Sequence, residues 1–305
     1  MEKKFYITCD SSCDLTAEYL TEHDIKLIPI KYIQNDVEYA DDLDLNNKNE
    51  FYKRFRGGEL SKTGSYNGDD AKKVWDSTGE PILHICLSSG LSNCYEHCVM
   101  QASKMDKEVK VIDSLFASLG TGLLVVKAVE LRDKGLSLED AYRALEEFKY
   151  MINTNYTTPT LEYFYKGGRL KRSKYIIGKL LHINPILKVD AEGKLYIDKK
   201  CHGTKKSENE IIEDIKEKVI DPTNQTLYIC HADCLENATA LGERIQKEIG
   251  FKDLFITLMG PTIGSHCGPE LRAYFFIGKD RRVKWFKDTK KAIFRLFIYL
   301  SIFYW

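Results

Sequence analysis

Short apolar runs alternate with amphipathic segments along the first half of this 305-residue chain. The runs at residues 5–8, 25–33, 82–87 and 109–112 have the length and residue types of buried strands. Pro29 interrupts the second run and argues for an edge strand or a bulge there. Segments of helical length lie between the runs, so the alternation predicts a mostly parallel sheet covered by helices on both faces.

The second half of the chain has a different pattern. Apolar runs at residues 183–189 and 194–197 flank Glu192-Gly193, which is a hairpin signal. A hairpin combined with crossover connections predicts a mixed sheet. We therefore expect a two-domain α/β protein with a ligand site between the domains. The expected divisions are an N-terminal domain at 1–154, a C-terminal domain at 155–280, and a basic and then apolar tail at 281–305.

Further elements of the second half follow from the same periodicities. The predicted strands are at 152–158, 226–230, 254–259 and 271–277, and the predicted helices at 160–165, 173–181, 205–219 and 233–249.

Composition and charge indicate an ordinary folded protein without a general affinity for polyanions. The chain is 43% hydrophobic and 30% charged, as in ordinary folded domains, and its 45 Lys and Arg balance 45 Asp and Glu. No global charge therefore draws it to nucleic acid or to an anionic membrane. Nine scattered cysteines and an N-terminal segment without an apolar signal indicate reduced thiols and a cytoplasmic location. The apolar stretch 292–305 is short for a bilayer span and contains Arg295, so at most transient membrane contact is expected.

The stretch 82–100 reads as a strand, a hydroxyl-rich turn and the start of a helix at about Asn93. Such a turn directs hydroxyls and backbone N–H groups at one spot, which favours a carboxylate or a phosphate. The alternative is that Ser92 merely caps the helix. Asp10 and Ser11 follow the first strand at the same edge of the sheet. They either line a pocket there or only shape their turn.

Other constellations of reactive residues are weaker. The cysteines and His231 around residues 94–98 and 230–234 lack the two well-spaced pairs of a zinc site, so buried thiols are favoured and no metal is predicted. Cys267 beside His266 could form a nucleophile pair, but neighbours in sequence rarely present side chains to each other. Two charged segments are interpreted as solvated rather than as metal or nucleic-acid sites: the acidic loop with Asp41, Asp42 and Asp44, and the basic cluster Arg169, Lys171, Arg172 and Lys174.

Seven collinear motifs resemble one family. They are CDSSCDL, KTGSY, LSSGLSNCY, VIDSLFASLGTG, TLEYFYKGGRL, LLHINPIL and MGPTIGSHCGPE, and they occur in the order and spacing of the DegV family. Members of that family are bacterial fatty-acid-binding proteins, some of which are the acyl-presenting subunit of a fatty-acid kinase. The resemblance covers about residues 5–278 and implies a two-domain α/β protein with a fatty acid between the domains.

The resemblance also implies site residues. Thr63 and Ser92 match the hydroxyl ligands of the carboxylate, and Arg169 matches a residue near the head group on the side facing the kinase. His266 lies in the matching C-terminal loop, where it is either near the head group or an ordinary hydrogen-bonded loop histidine, and Asn93 is expected near the head group. A family arginine is replaced by His202 on the partner-facing side, which weakens the expectation of kinase pairing more than that of lipid binding.

The resulting hypothesis is a non-enzymatic protein without a cofactor. It would hold a long-chain fatty acid in a buried tunnel and present its carboxylate to a kinase subunit of the dihydroxyacetone-kinase-like type. Two other classes stay open: an enzyme on the same scaffold acting on a small carboxylated or phosphorylated metabolite, and a regulatory or nucleic-acid module using the basic turn that begins at Arg169. No nucleic-acid partner is predicted.

Overall fold

The computed structural model of the chain describes residues 4–79, 81–170 and 183–282. Its strands are β1 (Tyr6–Asp10), β2 (Ile25–Ile28), β3 (Lys31–Gln34), β4 (Val37–Ala40), β5 (Ser61–Thr63), β6 (Ile82–Cys86), β7 (Val109–Asp113), β8 (Ile152–Thr157), β9 (Ile183–Val189), β10 (Leu195–His202), β11 (Thr226–His231), β12 (Asp253–Leu258) and β13 (Arg272–Ile277). Its α-helices are α1 (Ala17–Glu22), α2 (Leu45–Arg56), α3 (Gly68–Asp76), α4 (Cys94–Ala102), α5 (Leu119–Asp133), α6 (Leu138–Phe148), α7 (Glu162–Lys166), α8 (Thr204–Lys218), α9 (Leu235–Ile249) and α10 (Pro261–Cys267).

Four parallel strands form the first sheet, in the order β2-β1-β6-β7. Alternate residues of β6 enter different hydrophobic clusters. Ile82 and Cys86 pack with α3 and α4, whereas Leu83 and Ile85 pack on the side of α5. The sequence prediction of a parallel sheet with helices on both faces is confirmed.

Six strands form a second, mixed sheet in the order β10-β9-β8-β13-β11-β12. The pair β11–β12 is parallel and the other pairs are antiparallel. One face packs against α8 and α9, and the other faces α5, which contacts strands of both sheets. The hairpin predicted at Glu192-Gly193 joins β9 to β10, with Gly193 at φ +74°. The two sheets therefore sandwich α5, and the carboxyl ends of the parallel strands open between them.

The predicted strand at 25–33 is wrong in its extent. Pro29 lies between β2, which belongs to the parallel sheet, and β3, which belongs to a separate antiparallel sheet of order β4-β3-β5. The strand β5 ends at Thr63, and its residues Thr63 to Ser61 pair with Tyr32 to Gln34 of β3. The third sheet therefore carries Thr63 to the space between the two larger sheets.

Two buried acidic residues contact the start of one helix. Asp41, predicted to lie in a solvated loop, is buried and accepts hydrogen bonds from the backbone N–H and the hydroxyl of Thr262 at 3.0 and 2.6 Å. Asp14 accepts the Gly260 N–H at 2.7 Å. Both carboxylates thus hold the start of α10, a helix that was not predicted, and His266 lies on this helix rather than in a loop.

The predicted division after residue 154 falls inside β8, a central strand of the mixed sheet. The sequence predicted this strand at 152–158 but not its central place in the sheet. Asn155 donates to Asp214 at 3.1 Å and Thr157 contacts the Ser207 hydroxyl at 3.0 Å, so α8 provides partners for part of its polar surface. The helix predicted at 173–181, the basic residues Lys171, Arg172 and Lys174, and the tail from 283 onward lie outside the described residues.

Candidate functional site

A cavity of about 460 Å³ lies at the carboxyl ends of the parallel strands, where the mixed sheet and α10 face them. Its volume is within the range of roughly 300–1,000 Å³ that is usual for small-molecule sites. The parallel sheet contributes the segments that follow β2, β6 and β7, which is the edge where ligands bind in such sheets.

Most of the cavity wall is apolar. The wall is made of Ile30, Leu87, Leu91, Ala117, Tyr156, Phe164, Val189, Leu195, Met259, Ile263, Cys267 and Leu271. These side chains come from both large sheets and the loops around them, so neither sheet alone forms the wall. Sequence reasoning singled out only Cys267 among them, and for a different role, because residues so far apart in the chain show no common periodicity.

Polar side chains form a rim on the same cavity: Thr63, Ser65, Ser89, Ser92, Asn93, Thr262, Arg169 and His266. The structure thus brings together Thr63, Ser92 and Asn93 with Arg169 and His266, five of the residues predicted from the sequence. Hydroxyl groups predominate, and none of the described residues in the lining carries a carboxylate. An apolar wall with an uncharged and cationic rim suits an amphipathic anion.

Thr63 and His266 are joined directly. The Thr63 hydroxyl lies 2.6 Å from Nε2 of His266, while Nδ1 is buried and has no hydrogen-bond partner in the described part of the chain. Burial, followed by the charge of Arg169, lowers the pKa of His266 to about 3. The imidazole is therefore neutral near pH 7, and its Nε2 can donate to Thr63 when it carries the proton.

The glycine turn after α7 fits around this imidazole. A Cβ on Gly167 would lie 2.3 Å from His266 Nδ1, so the close approach requires glycine. Gly168 adopts φ +73°, the left-handed region that favours glycine. The paired glycines consequently place Arg169 beside the imidazole.

Arg169 is half-buried on the cavity wall. Its guanidinium donates to the backbone carbonyls of Gly167 at 2.5 Å and Leu91 at 3.1 Å. Burial lowers the pKa of Arg169, and the hydrogen bonds that the structure describes for it end on neutral carbonyls rather than on carboxylates. The positive charge therefore stays available to an anion in the cavity.

The turn between β6 and α4 is held from two sides. Ser88 donates to the Gly193 carbonyl of the β9–β10 hairpin at 2.9 Å, and a Cβ on Gly90 would lie 2.7 Å from the same carbonyl oxygen. Asp113 accepts from the N–H and the hydroxyl of Ser89. Ser92 Oγ donates to Cys94 Sγ at 3.1 Å and lies 3.4 Å from the Cys94 N–H. The N-cap position of α4 is Asn93, which makes no side-chain cap hydrogen bond, so Ser92 lies on the rim and does not occupy the expected cap position.

Three residues of the expected site do not line the cavity. Asp10 accepts the Leu87 N–H at 2.8 Å, and burial raises its pKa. Ser11 accepts the Ile30 N–H at 3.0 Å and contacts Thr262, so both residues shape the first turn. His202 is exposed at the end of β10, away from the lining residues.

The reactive pair considered at Cys267 and His266 is not formed. Cys267 contacts Met259 Sδ at 3.3 Å and backbone carbonyls, whereas His266 contacts Thr63. Burial raises the pKa of Cys267 well above its ordinary value, so the sulfur is a neutral thiol. These contacts do not fit a Cys–His nucleophile.

Comparison with known proteins gives concordant matches. A family model described as an uncharacterised protein of the DegV family matches residues 4–279. A DegV domain-containing protein of Clostridium perfringens is 32% identical over 288 residues, covering 92% of this chain and 99% of the relative.

Solved structures share the fold. A Thermotoga maritima protein described as having a fatty-acid-binding function matches with a TM-score of 0.80 at 27% identity, covering 90% of this chain and 100% of its own. The Streptococcus pneumoniae fatty acid kinase B3 protein, loaded with linoleic acid, matches with a TM-score of 0.78 at 20% identity, covering 90% and 99%, which shows the fold alone.

In the part of the chain that the structure describes, no helix is both long and apolar enough to cross a bilayer. The match over residues 4–279, the 32%-identical relative and the shared α/β fold lead to one assignment. This chain belongs to the DegV family.

Proposed function

We propose that this protein binds a long-chain fatty acid in the cavity, with the alkyl chain along the apolar wall and the carboxylate at the polar rim. The observation that carries the proposal is a cavity whose wall is apolar and whose rim combines hydroxyls with Arg169, with no carboxylate among the lining residues that the structure describes. The 27%-identical Thermotoga maritima protein, with its fatty-acid-binding function, supports the same ligand class.

The alkyl chain supplies most of the affinity. Burial of each CH₂ contributes about 0.8 kcal/mol, so a long chain contributes roughly 10 kcal/mol before the costs of association. The head group then needs only to be satisfied by hydrogen bonds. A small carboxylated or phosphorylated metabolite would leave the apolar wall without a partner, which disfavours the alternative of an enzyme for such substrates.

Thr63 is the proposed central donor to the carboxylate. If His266 Nε2–H donates to the Thr63 oxygen, the Thr63 hydroxyl hydrogen is free to donate to the ligand, and Ser92 supplies a second hydroxyl. Arg169 adds positive charge while its N–H groups hold backbone carbonyls. Such an arrangement binds the anion without a bidentate arginine clamp, which would occupy both carboxylate oxygens.

One carboxylate oxygen left accessible is what a kinase would require. We propose that the bound acid is presented to a fatty-acid kinase subunit, which transfers a phosphoryl group to this oxygen and forms an acyl phosphate. This step rests on the DegV resemblance and on the hydroxyl-rich rim, and the protein itself would contribute binding rather than catalysis. The dihydroxyacetone-kinase-like class of that subunit and a cytoplasmic location are parts of the same proposal.

Native mass spectrometry of the purified protein tests the ligand. We expect a retained mass in the fatty-acid range that organic extraction releases and identifies. After delipidation, a Thr63→Ala/Ser92→Ala variant should bind a fatty acid more weakly than the parent. Delipidated parent protein that does not bind a long-chain acid, or a double variant with undiminished binding, would contradict the proposal.

Presentation to a kinase needs a separate experiment. The loaded protein is mixed with ATP and a fatty-acid kinase catalytic subunit, and acyl phosphate is trapped with hydroxylamine as the hydroxamate. We expect product only when both proteins are present. Lipid binding without product would refute presentation while leaving the ligand assignment intact.

A further inference from the structure

A cluster of one histidine and two cysteines lies under the turn that carries Ser92. His84 and Cys86 are two residues apart on β6 and point to the same face of the strand, and Cys98 comes from α4, which covers that face. We propose that His84, Cys86 and Cys98 bind a zinc ion. This proposal stands on its own observations and does not depend on fatty-acid binding.

The three ligand atoms converge in the interior. The imidazole nitrogen and the two sulfur atoms all lie within 4.8 Å of one another, and each residue is fully buried. Among the described residues this is the one group of three potential metal ligands found. Of the residues considered for zinc from the sequence, the group includes Cys98 but not Cys94, Cys230, His231 or Cys234.

Tyr66 provides a fourth corner. Its hydroxyl oxygen lies 3.2 Å from His84 Nε2, 3.4 Å from Cys86 Sγ and 3.4 Å from Cys98 Sγ. For zinc bonds of about 2.0 Å to N or O and 2.3 Å to S in tetrahedral geometry, an oxygen ligand lies roughly 3.3 Å from a nitrogen ligand and roughly 3.5 Å from a sulfur ligand. The phenol thus lies at a tetrahedral edge length from all three ligands.

The imidazole is oriented from its other side. His84 Nδ1 lies 2.8 Å from the Thr8 hydroxyl, which also accepts the Trp75 Nε1–H at 3.2 Å. Histidine ligands of metals usually donate from the second ring nitrogen in this way, which leaves Nε2 unprotonated and directed at the metal. Nε2 is the nitrogen that faces Tyr66.

Ligand chemistry selects the class of ion. Two thiolates and an imidazole are soft or borderline donors, which suit Zn²⁺ and disfavour Mg²⁺ or Ca²⁺. Two thiolates also balance the charge of a divalent ion, so the loaded site would be neutral in a buried environment. Asp10, which accepts from Tyr66 at 3.3 Å, would support the fourth corner.

A bound zinc ion would tie α4 to β6. These two elements flank the 88–92 turn, whose residues Ser89, Gly90, Leu91 and Ser92 line the cavity. The role assigned to the metal is therefore structural, fixing the strand and the helix that bracket this turn.

Zinc binding is tested on the full chain after dialysis against a chelator. Titration with ZnCl₂ against a chromophoric chelator should give one equivalent of bound zinc. Cys86→Ala and Cys98→Ala should weaken binding by at least about 100-fold, more than is typical for loss of a supporting residue. Cys94→Ala is the matched control, because Cys94 is buried one turn earlier on α4 but lies outside the group, and it should bind zinc like the parent.

Cobalt(II) gives a second readout that needs no variant to fold. The parent protein should show tetrahedral cobalt bands with thiolate-to-cobalt charge transfer, which zinc displaces. Absence of zinc binding, zinc binding unchanged in both cysteine variants, or a cobalt spectrum without thiolate charge transfer would each overturn the proposal.

Discussion

Thr63→Val is the sharpest perturbation of the candidate site, because valine keeps the shape of threonine and removes its hydroxyl. The 2.6 Å contact with His266 would be lost, and both nitrogens of a buried imidazole would then lack the protein partners described here. An unsatisfied buried polar group costs about 1–3 kcal/mol, so the free energy of unfolding should fall by that amount in urea denaturation.

The effect on binding is expected to depend on the head group. A hydrogen bond to a charged group contributes about 1.5–3 kcal/mol, so Thr63→Val should raise the Kd for a long-chain fatty acid about 10- to 150-fold. For the alcohol of the same chain length, the neutral hydrogen bond of about 0.5–1.5 kcal/mol predicts a loss of roughly 2- to 12-fold. Displacement of a fluorescent fatty acid by each ligand measures both values.

Thr63→Ser is the control, because it keeps the hydroxyl and should bind the acid within a few-fold of the parent. Equal losses for acid and alcohol in Thr63→Val would place the carboxylate away from Thr63 and refute the reasoning. The same conclusion would follow if Thr63→Ser were as impaired as Thr63→Val.

Three further predictions concern other parts of the molecule. Burial raises the pKa of Asp14 from 3.8 to about 6, so the folded protein holds this proton more tightly than the unfolded chain does. The free energy of unfolding should therefore decrease by roughly 3 kcal/mol as pH rises through 4–6. Asp14→Asn should remove that slope in urea denaturation at several pH values, and an unchanged slope would show that Asp14 is not its source. Gly167→Ala, whose Cβ would lie 2.3 Å from His266 Nδ1, should lower fatty-acid affinity at least several-fold in the displacement assay. Unchanged affinity would mean that the position of the imidazole does not affect fatty-acid binding. Asp214→Ala should lower the free energy of unfolding by about 1–3 kcal/mol in urea denaturation, because the buried Asn155 amide loses its acceptor and buried Lys188 keeps only one of its two carboxylates, Asp198 at 2.8 Å; a loss below about 0.5 kcal/mol would show that these contacts contribute little.

The fold was largely predictable because its two main sheets have strong local signals. Apolar runs such as β6 are buried on both faces and read as strands from composition alone. The domain division was placed inside β8, although 152–158 was predicted as a strand, because the Asn155 amide donates to Asp214, 59 residues away in the chain, and no local pattern shows such a partner. Asp41 was misplaced for the same reason, since its partner Thr262 lies in a distant element.

The rim of the site was easier to anticipate than its wall. Serine and threonine residues in turns that follow strands predict a polar site from the sequence alone. The DegV resemblance added Arg169 and His266 to that site. The wall depends on which side chains of two sheets face one another, which is a property of packing between distant segments. The cluster of His84, Cys86 and Cys98 was missed for the same reason. Two ligands that are two residues apart on one strand, together with a cysteine on a later helix, do not match a familiar zinc-binding spacing.

Hydrogen bonds between the lobes have a consequence for how a ligand could be exchanged. Asp14 and Asp41 accept hydrogen bonds from backbone N–H groups at the start of α10 on one side of the cavity. On another side, Ser88 donates to the Gly193 carbonyl. Separating the sheets would break all of these contacts at once and leave the buried carboxylates without hydrogen-bond donors. We therefore expect a ligand to enter and leave through local fluctuations of the rim rather than by a hinge motion of the sheets. Its residence time should then increase with the length of its hydrocarbon tail.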